Sequence, residues 1–131
     1  MAIISADYAT EQVLLDSDEL ETQLLARLCN RAVNRPGGKV DEGWRESAIA
    51  LERALAMVER GEGGTAGGDS EWHTRVIGEQ ISTDMDPWVA EELASEIDGA
   101  IARGEMAYDT WGPIARRLDE AVKELARSSD E

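Results

Sequence analysis

The sequence predicts an all-α fold, a small helical bundle of four to five helices formed by residues 1–131 as a single helical domain. Through most of the chain, apolar residues recur at intervals of three and four, the spacing of amphipathic helices. Glycine- and proline-rich breaks at 34–39, at 61–70 and around Gly104 separate these stretches. No alternation of apolar and polar residues is long enough to require a sheet, although the opening "MAIIS" could add one short strand.

The first predicted helix follows Asp16 or Ser17, either of which can cap it, and Asp16 with Glu19 fits a capping box loosely. Its inner line is expected to be Leu20, Leu24, Leu28 and Ala32. The preceding segment 8–16 is compatible with a short helix or a strand.

The second predicted helix starts after a cap at Asp41 and stops at Gly61. Its apolar line is Trp44, Ala48, Leu51, Leu55 and Val58. The segment 61–70 has five glycines in ten residues and is predicted to be a flexible internal loop. The segment 70–83 fits a further helix or a strand, with Gly78 weakening the helical interpretation.

The third predicted helix has Asp86 as its cap and Pro87 at its first position, and it ends at Gly104. Its inner face is expected to hold Val89, Leu93, Ile97, Ala100 and Ile101. The fourth spans about 110–127, with Trp111, Ile114, Leu118, Ala121, Val122 and Leu125 inside. The spacing of the second and fourth helices is alike, and so is that of the first and third. This indicates two helical hairpins joined by the glycine-rich loop, although amphipathic helices also resemble one another without duplication.

Charged residues are abundant and are unevenly distributed along the chain. The chain has 28 acids and 13 bases, a net charge of -15. Residues 1–26 contain six acids and no base, 27–39 contain four bases and no acid, and 76–102 contain seven acids and no base. This balance argues against direct binding of nucleic acid or anionic lipid and favours a basic protein surface as the partner.

The third helix is the strongest candidate for that contact. On a helical wheel its acids lie away from the apolar face, and Trp88 lies among them. An exposed tryptophan is typical of an interface anchor. The predicted partner-binding residues are Asp84, Asp86, Trp88, Glu91, Glu92, Glu96 and Asp98, helped by a second cluster of Asp16, Asp18, Glu19 and Glu21.

We therefore expect a protein that binds and neutralises a basic partner such as a nuclease, a toxin or another nucleic-acid-binding protein. In composition and size alone, the chain resembles nucleic-acid mimics such as anti-restriction and anti-CRISPR proteins, and small acidic immunity proteins and antitoxins. A second interpretation is a helical adaptor or homodimer in which the basic residues Arg27, Arg31, Arg35 and Lys39 meet the acidic helix of another copy. A third is that the acids are only a solvated surface, as in proteins of high-salt or GC-rich organisms.

Catalytic chemistry has little support in the sequence. His73 is the single histidine and Cys29 the single cysteine, so a zinc site or a disulfide within the chain is not expected. The pair Glu59 and Glu62 lacks a matching second pair for magnesium-dependent hydrolysis. We expect no enzyme activity, metal or cofactor, and a cytoplasmic location, because neither a secretion signal nor a membrane-spanning run is evident.

Overall fold

A computed structural model describes residues 2–33 and 42–129 of the chain. In order these form β1 (Ile3–Asp7), β2 (Gln12–Ser17), α1 (Glu19–Val33), α2 (Glu42–Glu59), β3 (Gly64–Gly68), β4 (Trp72–Ile77), β5 (Gln80–Met85), α3 (Pro87–Ala102) and α4 (Tyr108–Ser129). The five strands make one antiparallel sheet in the order β1-β2-β5-β4-β3. The fold is α+β, so the prediction of an all-α helical bundle is wrong.

The sheet was not predicted from the sequence because the side chains that face the core from its strands are not all apolar. In β5 the outward position Ser82 is buried as well, so burial alternates cleanly only in β4. Two of the positions that face the core are occupied by Thr74 and Thr83. Their hydroxyls share a hydrogen bond of 3.2 Å, and the Trp72 indole N–H donates to Thr74 Oγ1 at 3.0 Å. Polar groups that form hydrogen bonds in this way can be buried with little loss of stability. Because these two buried residues are polar, the alternation of apolar and polar residues that is typical of a strand is not visible in the sequence.

The glycine-rich segment forms an edge strand where a flexible loop was predicted. Strand β3 spans Gly64–Gly68 and pairs with β4, with a register shift between Thr65 and Gly67. Gly67 and Gly68 have φ angles of 148° and 107°, which side-chain-bearing residues rarely adopt. The expectation of a flexible loop is therefore wrong for residues 64–68, and the alternative of a strand holds for 72–77 and 80–85.

All four predicted helices are present, as α1 to α4. In α2, α3 and α4 the predicted inner residues are buried or half-buried, and Gly61 and Gly104 follow the helix ends with φ angles of 69° and 76°. Asp86 is the N-cap of α3, and Pro87 follows it directly. The proposed cap of α2, Asp41, lies outside the described residues.

The expected inner line of α1 holds except at its first residue. Leu20 is 72% exposed, whereas Leu28 is buried and Leu24 and Ala32 are half-buried against the core. The buried residues of α1 also include Leu25, Cys29 and Val33. The cap is Asp18 instead of Asp16 or Ser17: its Oδ1 accepts the Glu21 N–H at 2.8 Å, while Glu21 Oε1 accepts the Asp18 N–H at 3.0 Å. This is the reciprocal bonding of a capping box, placed two residues later than predicted.

With β3 left aside, the described elements form two similar halves, and the register of β2 with β5 relates these strands by an approximate twofold axis. Each half is a β-hairpin followed by a helical hairpin: β1, β2, α1 and α2, then β4, β5, α3 and α4. The segments "EQVLLDSD" (11–18) and "EQISTDMD" (79–86) are equivalent, so Leu15 corresponds to Thr83. These two residues also pair with each other across the centre of the sheet. Equivalent residues that face each other in antiparallel strands lie on a twofold axis, which here passes through that pair.

All four helices pack on one face of the sheet. There α2 lies over β3 and β4, and α4 lies over β1 and β2. The main core between the layers contains Trp44, Trp72 and Trp111. Among the described helices, none combines the length and apolarity that crossing a membrane requires.

Candidate functional site

The exposed side of α3 carries several carboxylates. Trp88, Glu91, Glu92, Ser95 and Asp98 are exposed and recur at helical spacing, whereas Val89, Leu93 and Ile97 face the core. The position of Trp88 agrees with the helical wheel, since 49% of its surface is accessible. Within the described part of the chain, neither Glu91 nor Asp98 makes an ion pair. We call Trp88, Glu91, Glu92 and Asp98 the acidic face of α3.

The N-terminal end of this face borders a shallow hollow lined by tryptophan rings. The start of α2, the β3–β4 turn and the first turns of α3 converge there, bringing Trp44, Trp72 and Trp88 together. Trp44 and Trp72 pack edge to face with ring centroids 6.3 Å apart. The hollow has a volume of about 30 Å³, room for little more than a water molecule. A partner would therefore contact the outer surface of Trp88 without entering the hollow.

Carboxylates from three separate segments surround the hollow, and among the described residues that line it none is basic. They are Glu46 from α2, Asp69 and Glu71 from the β3–β4 turn, and Glu92 from α3. The Asp69 carboxylate is held in place because its Oδ1 accepts the N–H groups of Glu71 at 2.8 Å and Trp72 at 3.1 Å. Sequence analysis missed Glu46, Asp69 and Glu71, since only the tertiary fold brings them beside Trp88.

Three other residues that were predicted to bind the partner, Asp84, Asp86 and Glu96, have different roles. Asp84 is on the open face of the sheet, where Arg75 Nη1 lies 2.8 Å from its Oδ2. Asp86 caps α3 and accepts a hydrogen bond of 3.1 Å from Gln12 Nε2. Glu96 is half-buried, and its charge contributes to the environment of Cys29. None of the three belongs to the exposed stripe of α3.

The second predicted cluster is dispersed. Asp16 lies on the open face of the sheet, and Glu19 is exposed at the start of α1. Asp18 and Glu21 form the capping box, and Glu21 Oε2 also accepts the Ala2 N–H at 2.7 Å. Because β2 and β5 are antiparallel, the helices that follow them begin at opposite ends of the sheet. This cluster therefore does not extend the acidic face of α3.

The structure describes two of the four basic residues that were predicted to mediate self-association. Arg27 and Arg31 are exposed on α1, and Arg31 forms an ion pair with Glu105. Arg35 and Lys39 lie outside the described residues.

Reactive groups are scarce around the site. Burial raises the pKa of the Cys29 thiol, and the nearby Glu96 carboxylate raises it further, so the thiol remains protonated at neutral pH and packs in the core. In residues 2–33 and 42–129 no three potential ligands among His, Cys, Asp and Glu come together as a metal site.

No family model, curated protein or solved structure matches this chain. The most distinctive feature of its described surface is an exposed tryptophan that lies among carboxylates supplied by three separate segments.

Proposed function

We propose that this chain binds a basic protein through the acidic face of α3, with Trp88 as the apolar anchor, and thereby blocks a surface that its partner uses to bind nucleic acid. The exposure of Trp88 among carboxylates carries this proposal. Tryptophan is enriched at positions that dominate binding energy. The proposed location is the cytoplasm.

The charge distribution supports a cationic partner. A net charge of -15 creates a long-range field that accelerates encounter with a basic protein. At short range, Glu91 and Asp98 lie two helical turns apart, about 10 Å along the axis. They present negative groups in a line, as a phosphate backbone does, so a surface that binds nucleic acid would also accept this helix.

Charge reversal on α3 tests the proposal. The wild-type chain is used to capture proteins from the organism that encodes it, and the affinity of the captured protein is then measured. We expect Glu91→Lys with Asp98→Lys to weaken binding by about tenfold or more, because two attractive contacts become repulsive. The matched control is Glu59→Lys with Glu79→Lys, which changes the net charge equally at exposed positions at the end of α2 and in the β4–β5 turn.

Competition tests the nature of the blocked surface. Duplex DNA or RNA that the partner binds should displace the chain, and affinity should fall steeply as salt rises from low to moderate concentration. Equal losses for the two double variants would mean that only total charge matters and that the acids are a solvated surface. Binding that persists in saturating nucleic acid would reject the blocking function.

A further inference from the structure

The indole of Trp88 and the carboxylate of Glu91 lie next to each other on the exposed side of α3. Side chains three residues apart are neighbours on a helix surface, with Cβ atoms about 5–6 Å apart. Trp88 is 49% exposed. Glu91 is exposed and makes no ion pair within the described part of the chain. A partner can therefore reach an aromatic ring and a free carboxylate at one place.

A group that contacts the Trp88 ring must lie on its outer surface. The tryptophan hollow beside the ring has a volume of about 30 Å³, which admits a water molecule but not a side chain. A flat group that lies over the exposed part of the indole meets this condition. The planar guanidinium of arginine is such a group.

The charges near Trp88 favour a cation at this place. Helix α3 contains no lysine or arginine. The positive end of its helix dipole would disfavour a cation, but Asp86 at the N-cap and Glu91 in the next turn place carboxylates before and after the ring. The carboxylates of Glu46 and Glu71 also border the hollow, so negative charge surrounds the ring on several sides.

Arginine matches this pair of side chains better than lysine does. A guanidinium stacks on an aromatic face and donates two parallel hydrogen bonds to a carboxylate, so one arginine can engage both Trp88 and Glu91. A lysine ammonium is a compact, strongly hydrated charge and has no plane to stack. Among aromatic side chains tryptophan forms the strongest contacts with cations, and arginine is the cation found there more often.

We infer that Trp88 and Glu91 together bind one arginine side chain of the basic partner, with its guanidinium over the indole and hydrogen-bonded to the Glu91 carboxylate. This inference rests on the proposed function, because it names the group that the acidic face of α3 receives. Asp98, about 10 Å further along the helix axis, is left to bind a second basic group of the same partner.

Two labelled peptides of equal length and charge serve as probes, one with several arginines separated by glycine and serine and the other with lysines at the same positions. Fluorescence anisotropy at moderate salt should show that the full chain binds the arginine peptide about threefold or more tightly than the lysine peptide. Trp88→Leu should remove this preference, whereas Trp88→Phe, which retains an aromatic ring, should keep part of it. A preference that is unchanged in Trp88→Leu would overturn the inference.

Matched controls separate stacking from general effects of charge and exposure. Tyr108→Leu removes another exposed aromatic ring, 62% accessible at the start of α4, and should leave the preference intact. Glu91→Gln should weaken binding of the arginine peptide more than Glu79→Gln, which removes a carboxylate from the exposed β4–β5 turn. Equal effects of the two glutamine variants would overturn the pairing of the arginine with Glu91.

Acrylamide quenching locates the contact on the ring without any substitution. Trp44, Trp72 and Trp111 are buried, so quenching of the wild-type chain reports mainly on Trp88. Saturating arginine peptide should protect the emission from acrylamide, and lysine peptide at equal occupancy should protect it less. Absence of protection by the arginine peptide would overturn the inference, even if Trp88→Leu does not fold.

Failure of this inference can be told apart from failure of the proposed function. If Trp88→Leu and Trp88→Phe bind the captured partner as the wild type does, while Glu91→Lys with Asp98→Lys does not, the arginine contact is rejected and the acidic face remains the binding surface. If the charge reversal has no effect on binding of the captured partner, the proposed function itself is rejected.

Discussion

At Gly68 the backbone of β3 passes so close to β4 that an added Cβ atom would lie 1.9 Å from the Trp72 carbonyl oxygen. That oxygen accepts the Asp69 N–H at 2.8 Å. A side chain at this position would therefore displace the turn that holds Asp69 and Trp72 beside the tryptophan hollow.

We expect Gly68→Ala to be strongly destabilising. Gly64→Ala is the control, because Gly64 also has a positive φ angle, 122°, but its added Cβ would meet nothing within 4 Å. The free energy of unfolding should fall by about 2 kcal/mol more for Gly68→Ala than for Gly64→Ala, since only the former adds a steric clash. Denaturant titration measures both, and equal losses would contradict the close approach.

Cys29 makes stability depend on pH in the alkaline range. Its pKa in the folded chain is raised by burial and by Glu96, so above about pH 8.5 the unfolded state loses a proton that the folded state retains. The contribution of the thiol to stability is thus fully present below that pH and is lost as pH rises. Between pH 8.5 and 9.5 the wild type should lose about 1 kcal/mol more than Cys29→Ala. Parallel pH profiles of unfolding would show that the thiol titrates normally.

Among the elements, the start of α1 depends on the capping box. Asp18→Ala and Glu21→Ala should each lower the free energy of unfolding by about 1 kcal/mol, because each leaves a helix N–H or its reciprocal partner unsatisfied. Glu19→Ala removes an exposed carboxylate from the same turn and should cost less than about 0.5 kcal/mol. A double-mutant cycle on Asp18 and Glu21 should show coupling; simple additivity would argue against reciprocal bonding.

Each helix or strand could be predicted only as far as the spacing of its own side chains indicates it. The helices α2, α3 and α4 were predictable because their buried residues are apolar and their ends are marked by Gly61, Pro87 and Gly104. Strand β3 was hidden because its glycines are used for close backbone approach, and β4 and β5 were hidden because buried threonines interrupt their apolar pattern.

The candidate site, like the fold, could be predicted only in part. The exposure of Trp88, Glu91 and Asp98 follows from helical spacing alone. The pairing of Asp84 with Arg75 could not be foreseen without the register of β4 and β5. Similarly, no local pattern places Glu46 or Glu71 beside Trp88. The parts of the site that depend on one helix were found, and those that depend on the sheet were missed.

On the scale of the whole molecule, the two halves share one core and one sheet. The β2–β5 pairing joins them, and the main apolar cluster contains residues of both. We therefore expect a single unfolding transition, in which tryptophan fluorescence and far-ultraviolet circular dichroism change together. Two separated transitions would indicate that the halves fold independently, despite each contributing only part of the sheet.

The antiparallel pairing of β2 with β5 has a consequence for the two helices that follow these strands. Equivalent residues run in opposite directions there, so α1 and α3 begin at opposite ends of the sheet. In the first turns of the two helices, Leu20 is 72% exposed at one end and Trp88 is 49% exposed at the other. Architecturally alike ends thus display chemically different side chains, and the likeness of the halves stops at the surface.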